Sequence, residues 1–179
     1  VNENTPPDPG EADGLVTDVA GLPLVMRAAD CSLLVVADPE LRAIGVAHAG
    51  WRGAARGVVV NVVKALTEHF GSRPSQLIAG VGPTIGVPHF AVGPEVPAAF
   101  LRSRSWTSTY VQAKEGQWHF DLLGVVVRFL IECGIPQASI EVAGECTYAE
   151  KDLLHSFRRD GVEGGHQGLV AAWPATAPA

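Results

Sequence analysis

The chain has 179 residues, 47% hydrophobic and 18% charged, long enough to bury one core and too apolar for a disordered segment. Its formal net charge of −6 argues against nucleic acid as the main partner, because a phosphate-tracking surface needs a basic excess; a local cationic pocket for a small anion stays open. No run approaches the roughly 18 uninterrupted apolar residues of a membrane span, and three cysteines at no metal-finger spacing, Cys31, Cys133 and Cys146, point to a reducing, cytoplasmic setting.

Residues 1–14 read as an irregular, proline-rich lead-in. Short β-branched runs follow at 15–17, 22–26, 31–37 and 43–48. The period then changes. Ala55, Val58, Val59, Val62, Val63, Leu66 and Phe70 fall at helical spacing, and Gly71 with Pro74 beyond it supplies the stop. Residues 76–82 read as a strand ending in the turn GPTIG, 95–102 as a short helix, and 104–117 as loop or edge strand. A second helix opens with Asp121 as N-cap, carries Leu122, Val125, Val126, Phe129 and Leu130 inward, and closes at Gly134. Residues 140–143 and 168–173 complete the strands. The pattern predicts a single α+β domain, a sandwich of mixed β-sheet flanked by helices.

Chemistry concentrates in residues 28–63. Asp38-Pro39-Glu40-Leu41 has the residues of a β-turn. With Pro39 and Glu40 as its centre, Cys31 falls directly opposite His48, at the roughly 4.5–5.5 Å typical of facing strand residues. Two readings of the cysteine follow: a packed core thiol, or one half of a working pair. A histidine on an apolar strand needs a polar partner, since burying it unpaired costs about 1–3 kcal/mol. Next, GWRGAARG (residues 50–57) runs from strand into helix and matches neither a Walker loop nor GxGxxG. Arg52 and Arg56, one turn apart near a helix start, are candidates for holding a small anion; solvated arginines and close-packing glycines are the alternative.

ADCSLLVVAD, HAGWRG, GVGPTIG with VGPEV soon after, FDL, the CT pair at 146–147 and SFRRDGV occur in that order. In them the chain resembles the YfiH-like, or laccase-domain, family, once described as multicopper polyphenol oxidases and regarded as purine nucleoside phosphorylases. The resemblance runs from ADGLVT near residue 12 to about Leu169. It implies phosphorolysis of adenosine, inosine and methylthioadenosine to base and ribose 1-phosphate, with adenosine deamination as an associated activity. It also implies a zinc held by His, Cys and His, of which the last two map onto Cys31 and His48. Phosphate would fall to Arg52 and Arg56, and the SFRR segment would bring Ser156 and Arg158 to the substrate. The first family ligand sits in a QVH-type motif that this sequence lacks, and the start at Val1 leads to the expectation of a missing N-terminal portion. The family's TGR-like triplet is matched by Glu163-Gly164-Gly165, followed by His166.

Two other chemistries fit some of these residues. A cysteine hydrolase or deamidase would use Cys31 as nucleophile and His48 as base. A copper-dependent polyphenol oxidase would need paired histidines, and His48, His69, His89, His119, His155 and His166 make no HxH pair.

Overall fold

In a computed structural model, which describes residues 1, 11–102, 104–114 and 116–175, the alternating strands assemble into three sheets. The order along the chain is β1 (Gly14–Thr17), β2 (Leu24–Ala28), β3 (Ser32–Asp38), β4 (Ala43–Ala49), α1 (Trp51–Ala55), α2 (Val58–Phe70), β5 (Ile78–Val81) and β6 (Ala91–Val92). It continues with α3 (Glu95–Leu101), β7 (Val111–Lys114), β8 (Gln117–Phe120), α4 (Leu122–Glu132), β9 (Ile140–Val142), α5 (Phe157–Asp160) and β10 (Gln167–Ala171). The main sheet has the order β1-β4-β3-β5-β9. It is antiparallel except for the parallel β5–β9 pair.

Both faces of this sheet are covered, and strand alternation decides what covers each. Leu34, Val36 and Ala47 point into the large core, which Val59, Val62, Val63 and Leu66 of α2 and Val125, Val126, Phe129 and Leu130 of α4 complete. Leu33 and Val46 point the other way, onto Leu24, Met26 and Ala28 of β2, which pairs antiparallel with β10. The fold is thus the expected mixed α/β domain, with helices on one side and a two-stranded ribbon on the other. A third sheet, β6-β8-β7, is not hydrogen-bonded to the other two among the described residues but sends Phe120 into the large core; its β7–β8 hairpin occupies much of the stretch read from sequence as loop or edge strand.

Two local expectations need correction. The helix read as running on from GWRGAARG breaks: α1 ends after Ala55, and Gly57 takes φ 91° before α2 begins, a left-handed conformation that glycine adopts at little cost. The hairpin register is also displaced. Leu33, not Cys31, faces His48, and Asp38 faces Ala43. Pro39 cannot enter the primed turns that close two-residue hairpins, so the connection takes four residues. Asp38 Oδ1 accepts from the N–H groups of Glu40 and Leu41, 3.0 Å each, and Arg42 reverses the chain at φ 56°. A shift of two residues keeps every side chain on its face, so Cys31 and His48 still share one.

Among the described residues, no helix is long and apolar enough to cross a membrane.

Candidate active site

Cys31 lies at the entrance to β3 and His48 near the end of β4, on the face turned toward β2 and β10. In the observed register the position across from Cys31 is Gly50. A methyl group at Gly50 would stand 2.9 Å from Cys31 Sγ and 3.6 Å from both Nε2 and Cε1 of His48. The sulfur and the imidazole therefore border one small space, kept open because Gly50 has no side chain. Gly50 has φ −69° and ψ 164°, allowed for any residue, so its role there is one of room and not of backbone freedom.

The histidine is held from behind. Asp13, just before β1, accepts a hydrogen bond from His48 Nδ1 at 2.9 Å, and the Asp13 carbonyl accepts from the His48 backbone N–H at 2.8 Å. A carboxylate only accepts, so Nδ1 donates the proton of this bond, and Nε2 is the ring nitrogen left on the Cys31 side. Carboxylate–histidine pairs of this kind orient imidazoles that bind metals or shuttle protons. Asp13 was missed as a site residue in the sequence; the only signal was its place in ADGLVT, one strand away from HAGWRG.

Cys31 is a protonated thiol in this environment. Burial, then the carboxylates of Asp30 and Asp13, push it up to about 11. At neutral pH a nucleophilic thiolate is therefore disfavoured, which weighs against the hydrolase reading. A cation beside the sulfur would reverse the balance.

Asp30 fixes the loop that presents Cys31. It adopts φ 78°, a region tolerated by Asp, and is 8% exposed. Its Oδ1 accepts from Thr147 Oγ1 at 2.6 Å, its Oδ2 from the Arg158 N–H at 2.7 Å, and its carbonyl from the Ile85 N–H at 2.9 Å. Segments around 85, 147 and 158 thus converge behind the cysteine. GPTIG, CT and SFRRDG build this support together.

The remaining predicted residues occupy distinct places. Ser156 is fully buried as the N-cap of α5, accepting from the Arg159 N–H at 3.2 Å. Arg158 donates through Nη1 to the Ala91 carbonyl at 2.9 Å, and its guanidinium lies 5.5 Å from the Phe90 ring centroid. The neighbouring Arg159 grips Asp160 through two 2.8 Å hydrogen bonds and holds that carboxyl below the usual carboxylate range. Arg52 and Arg56 are exposed on and just after α1 and line one groove with Trp51, Ala55, Ala99 and Arg102. No hydrogen bond links either of them to Cys31 or His48. With only five residues, α1 offers little dipole to an anion, so binding there falls to the side chains.

Cys31 Sγ and His48 Nε2 have the chemistry of zinc donors, and Asp13 supplies the usual outer partner. A catalytic zinc takes three protein ligands. Among the described residues no group of three His, Cys, Asp or Glu is placed to hold a metal. His119 Nδ1 bonds to the Val87 carbonyl at 2.8 Å, and His89 stacks on Tyr148 with centroids 4.4 Å apart. Cys31 and His48 by themselves do not supply the three donors of a catalytic zinc.

Fold and site define a mixed α/β domain with a cysteine and a histidine brought together by adjacent strands. A family model described as multi-copper polyphenol oxidoreductase laccase matches residues 1–173, and the chain belongs to this family. It is 37% identical over 150 residues to a protein from Xylella fastidiosa named purine nucleoside phosphorylase, covering 83% of this chain and 56% of that protein. It is 31% identical over 155 residues to adenosine deaminase RL5 from an unknown prokaryotic organism, covering 86% and 59%. Among solved structures, hypothetical protein YfiH of Bacillus licheniformis superimposes with TM-score 0.85 at 33% identity, covering 90% of this chain and 61% of the other. The chain spans less than two thirds of each of these relatives.

Proposed function

We propose that this chain carries the cysteine–histidine part of a nucleoside phosphorolysis site. Its substrates would be purine nucleosides such as adenosine, inosine or methylthioadenosine, together with inorganic phosphate. The observation that carries the reading is the Cys31–His48 pair facing one space across Gly50, its histidine oriented by Asp13, in a family with a relative named purine nucleoside phosphorylase.

In the reaction a phosphate oxygen attacks C1′ of the sugar and the bond to the purine nitrogen breaks. The bonding electrons leave with the base, which takes up a proton, and ribose 1-phosphate remains. Such a reaction needs a cationic hold on phosphate and a group to manage the departing base. Arg52 and Arg56 would serve the first need as charge-assisted donors. Arg158 and Ser156 act mainly by shaping the wall behind Asp30, given the bonds they already make.

Cys31 and His48 would be two ligands of a zinc ion, with a third donor from outside the described residues. When bound, zinc would make the Cys31 sulfur a thiolate and supply Lewis acidity. A relative named adenosine deaminase favours deamination of adenosine as a second activity. Copper oxidation is the weaker reading, since the histidines lack the clustering that several coppers require. The three free cysteines suit a reducing, cytoplasmic location. The reading is tested by incubating purified protein with inosine and phosphate, with and without a chelator, and following hypoxanthine release. Release that requires phosphate and falls with the chelator supports it; no release under any condition, with added zinc and a folded protein, rejects it.

A further inference from the structure

Three arginines from two separate elements converge on one groove. Arg52 and Arg56 come from α1 and the residue after it, and Arg102 follows the end of α3; Trp51, Ala55 and Ala99 make up the rest of its wall. All three arginines are exposed, and among the described residues no acidic one lines the groove. Elsewhere four arginines are ion-paired, Arg73 with Glu40, Arg104 and Arg128 with Glu132, and Arg159 with Asp160, while Arg42 and Arg158 bond instead to the carbonyls of Pro174 and Ala91. None of Arg52, Arg56 and Arg102 joins an ion pair among the described residues. A chain of net charge −6 has carboxylates to spare, yet none of the described ones lines this groove.

Three like charges in one groove repel one another, and a bound dianion removes that cost. The guanidinium of Arg52 also lies 4.3 Å from the centroid of the Trp51 ring, a stack that limits its motion and leaves its edge free to donate. The groove encloses about 420 Å³, within the roughly 300–1,000 Å³ of small-ligand sites and more than a phosphate alone would fill. Arg56 also lines the adjoining groove that reaches Asp13, the carboxylate behind His48.

We propose that Arg102 completes, with Arg52 and Arg56, a binding groove for a phosphate group, carried by inorganic phosphate or by a small sugar phosphate. The inference rests on the reading of Arg52 and Arg56 as phosphate ligands and adds a third residue that no sequence motif announced. It uses side-chain charge, not helix amides. Guanidinium forks take phosphate oxygens in pairs, so losing one of three exposed arms weakens binding by about tenfold.

The test is calorimetric titration of the chain with inorganic phosphate and, separately, with ribose 5-phosphate, comparing the parent protein with Arg102→Ala, Arg102→Lys and, as a control, Arg27→Ala on the exposed face of β2. The expected result is an approximately tenfold rise in Kd for Arg102→Ala, partial recovery in Arg102→Lys, no change in Arg27→Ala, and an unfolding temperature common to all four. Whichever compound binds more tightly to the parent identifies the source of the phosphate. A parent that binds neither compound, or an Arg102→Ala Kd within twofold of the parent's, overturns the inference. Base release assayed in parallel separates the two claims. Phosphate binding that depends on Arg102 without base release leaves the groove and rejects phosphorolysis. Base release with phosphate affinity indifferent to Arg102 rejects the groove and leaves phosphorolysis.

Discussion

At Cys31 the balance of burial and charge sets both reactivity and a pH dependence. Its thiol is raised to about 11, while an unfolded chain holds it near 9.0. Folding therefore keeps a proton that the unfolded chain gives up. The associated stability is fully present below pH 9 and is lost as pH rises toward 11, in all about 2–3 kcal/mol at roughly 1.4 kcal/mol per unit. In denaturant titrations of metal-free protein at pH 8 and pH 11, Cys31→Ala should reduce the difference by about that amount, leaving the smaller part that the half-buried Cys133 thiol, also raised, contributes. Next to it, Gly50→Ala places a methyl group 2.9 Å from Sγ. The methyl group would crowd the sulfur out of the space it shares with His48, while the backbone at φ −69° accepts alanine without strain. We expect nucleoside turnover to fall at least tenfold with an unfolding temperature within a few degrees of the parent; unimpaired turnover would show that the pair need not share that space. Asp13→Asn tests the other side. It leaves His48 a neutral amide in place of a carboxylate, and outer-partner changes of this kind cost about 10–100-fold in activity or metal affinity.

Among the elements, the loop around Asp30 does most to place the site, and its energetics are separable from the chemistry. Removing the carboxylate in Asp30→Ala orphans the Thr147 hydroxyl and the Arg158 N–H, both bonded to it within 2.7 Å, and puts alanine at φ 78°. A loss of about 2–4 kcal/mol is expected, a drop of roughly 5–15 °C in unfolding temperature for a domain of this size. Asp30→Asn keeps an acceptor and a tolerant backbone and should lose less than half of that; equal losses in the two variants would contradict the account. Legibility from sequence followed the physics of each element. Helical spacing from Val58 to Phe70 and the Asp121 cap, whose Oδ1 accepts from the Gly124 N–H at 2.8 Å, depend on local signals and were readable. The β3–β4 pair was readable as a hairpin but not in register, because Pro39 permits several loop lengths and only the structure selects the four-residue one. Parity rescued the site: a two-residue slip leaves Cys31 and His48 on one face. The convergence of Ile85, Thr147 and Arg158 on Asp30 spans up to 128 positions in the chain, and no periodicity reports such a contact. Asp13 and Arg102 were invisible for the same reason.

For the molecule as a whole, the sheet sets the working face. Its helix-covered side is closed by α2 and α4, so Cys31 and His48 look out toward β2 and β10. Arg52 and Arg56 follow within eight residues of His48 along the chain, and α3 brings Arg102 to the same groove. The description multi-copper polyphenol oxidoreductase laccase and the relative named purine nucleoside phosphorylase point to different chemistries, and the proposal of phosphorolysis follows the second. A cysteine–histidine pair and a cationic groove favour the proposed transfer to phosphate, whereas several coppers need clustered histidines. The most direct measurement compares purified protein given inosine with and without inorganic phosphate, resolving hypoxanthine, ribose 1-phosphate and free ribose by chromatography. The account predicts equal amounts of hypoxanthine and ribose 1-phosphate, appearing only when phosphate is present and abolished in Cys31→Ala. Free ribose in place of ribose 1-phosphate, or hypoxanthine release indifferent to phosphate, would contradict it.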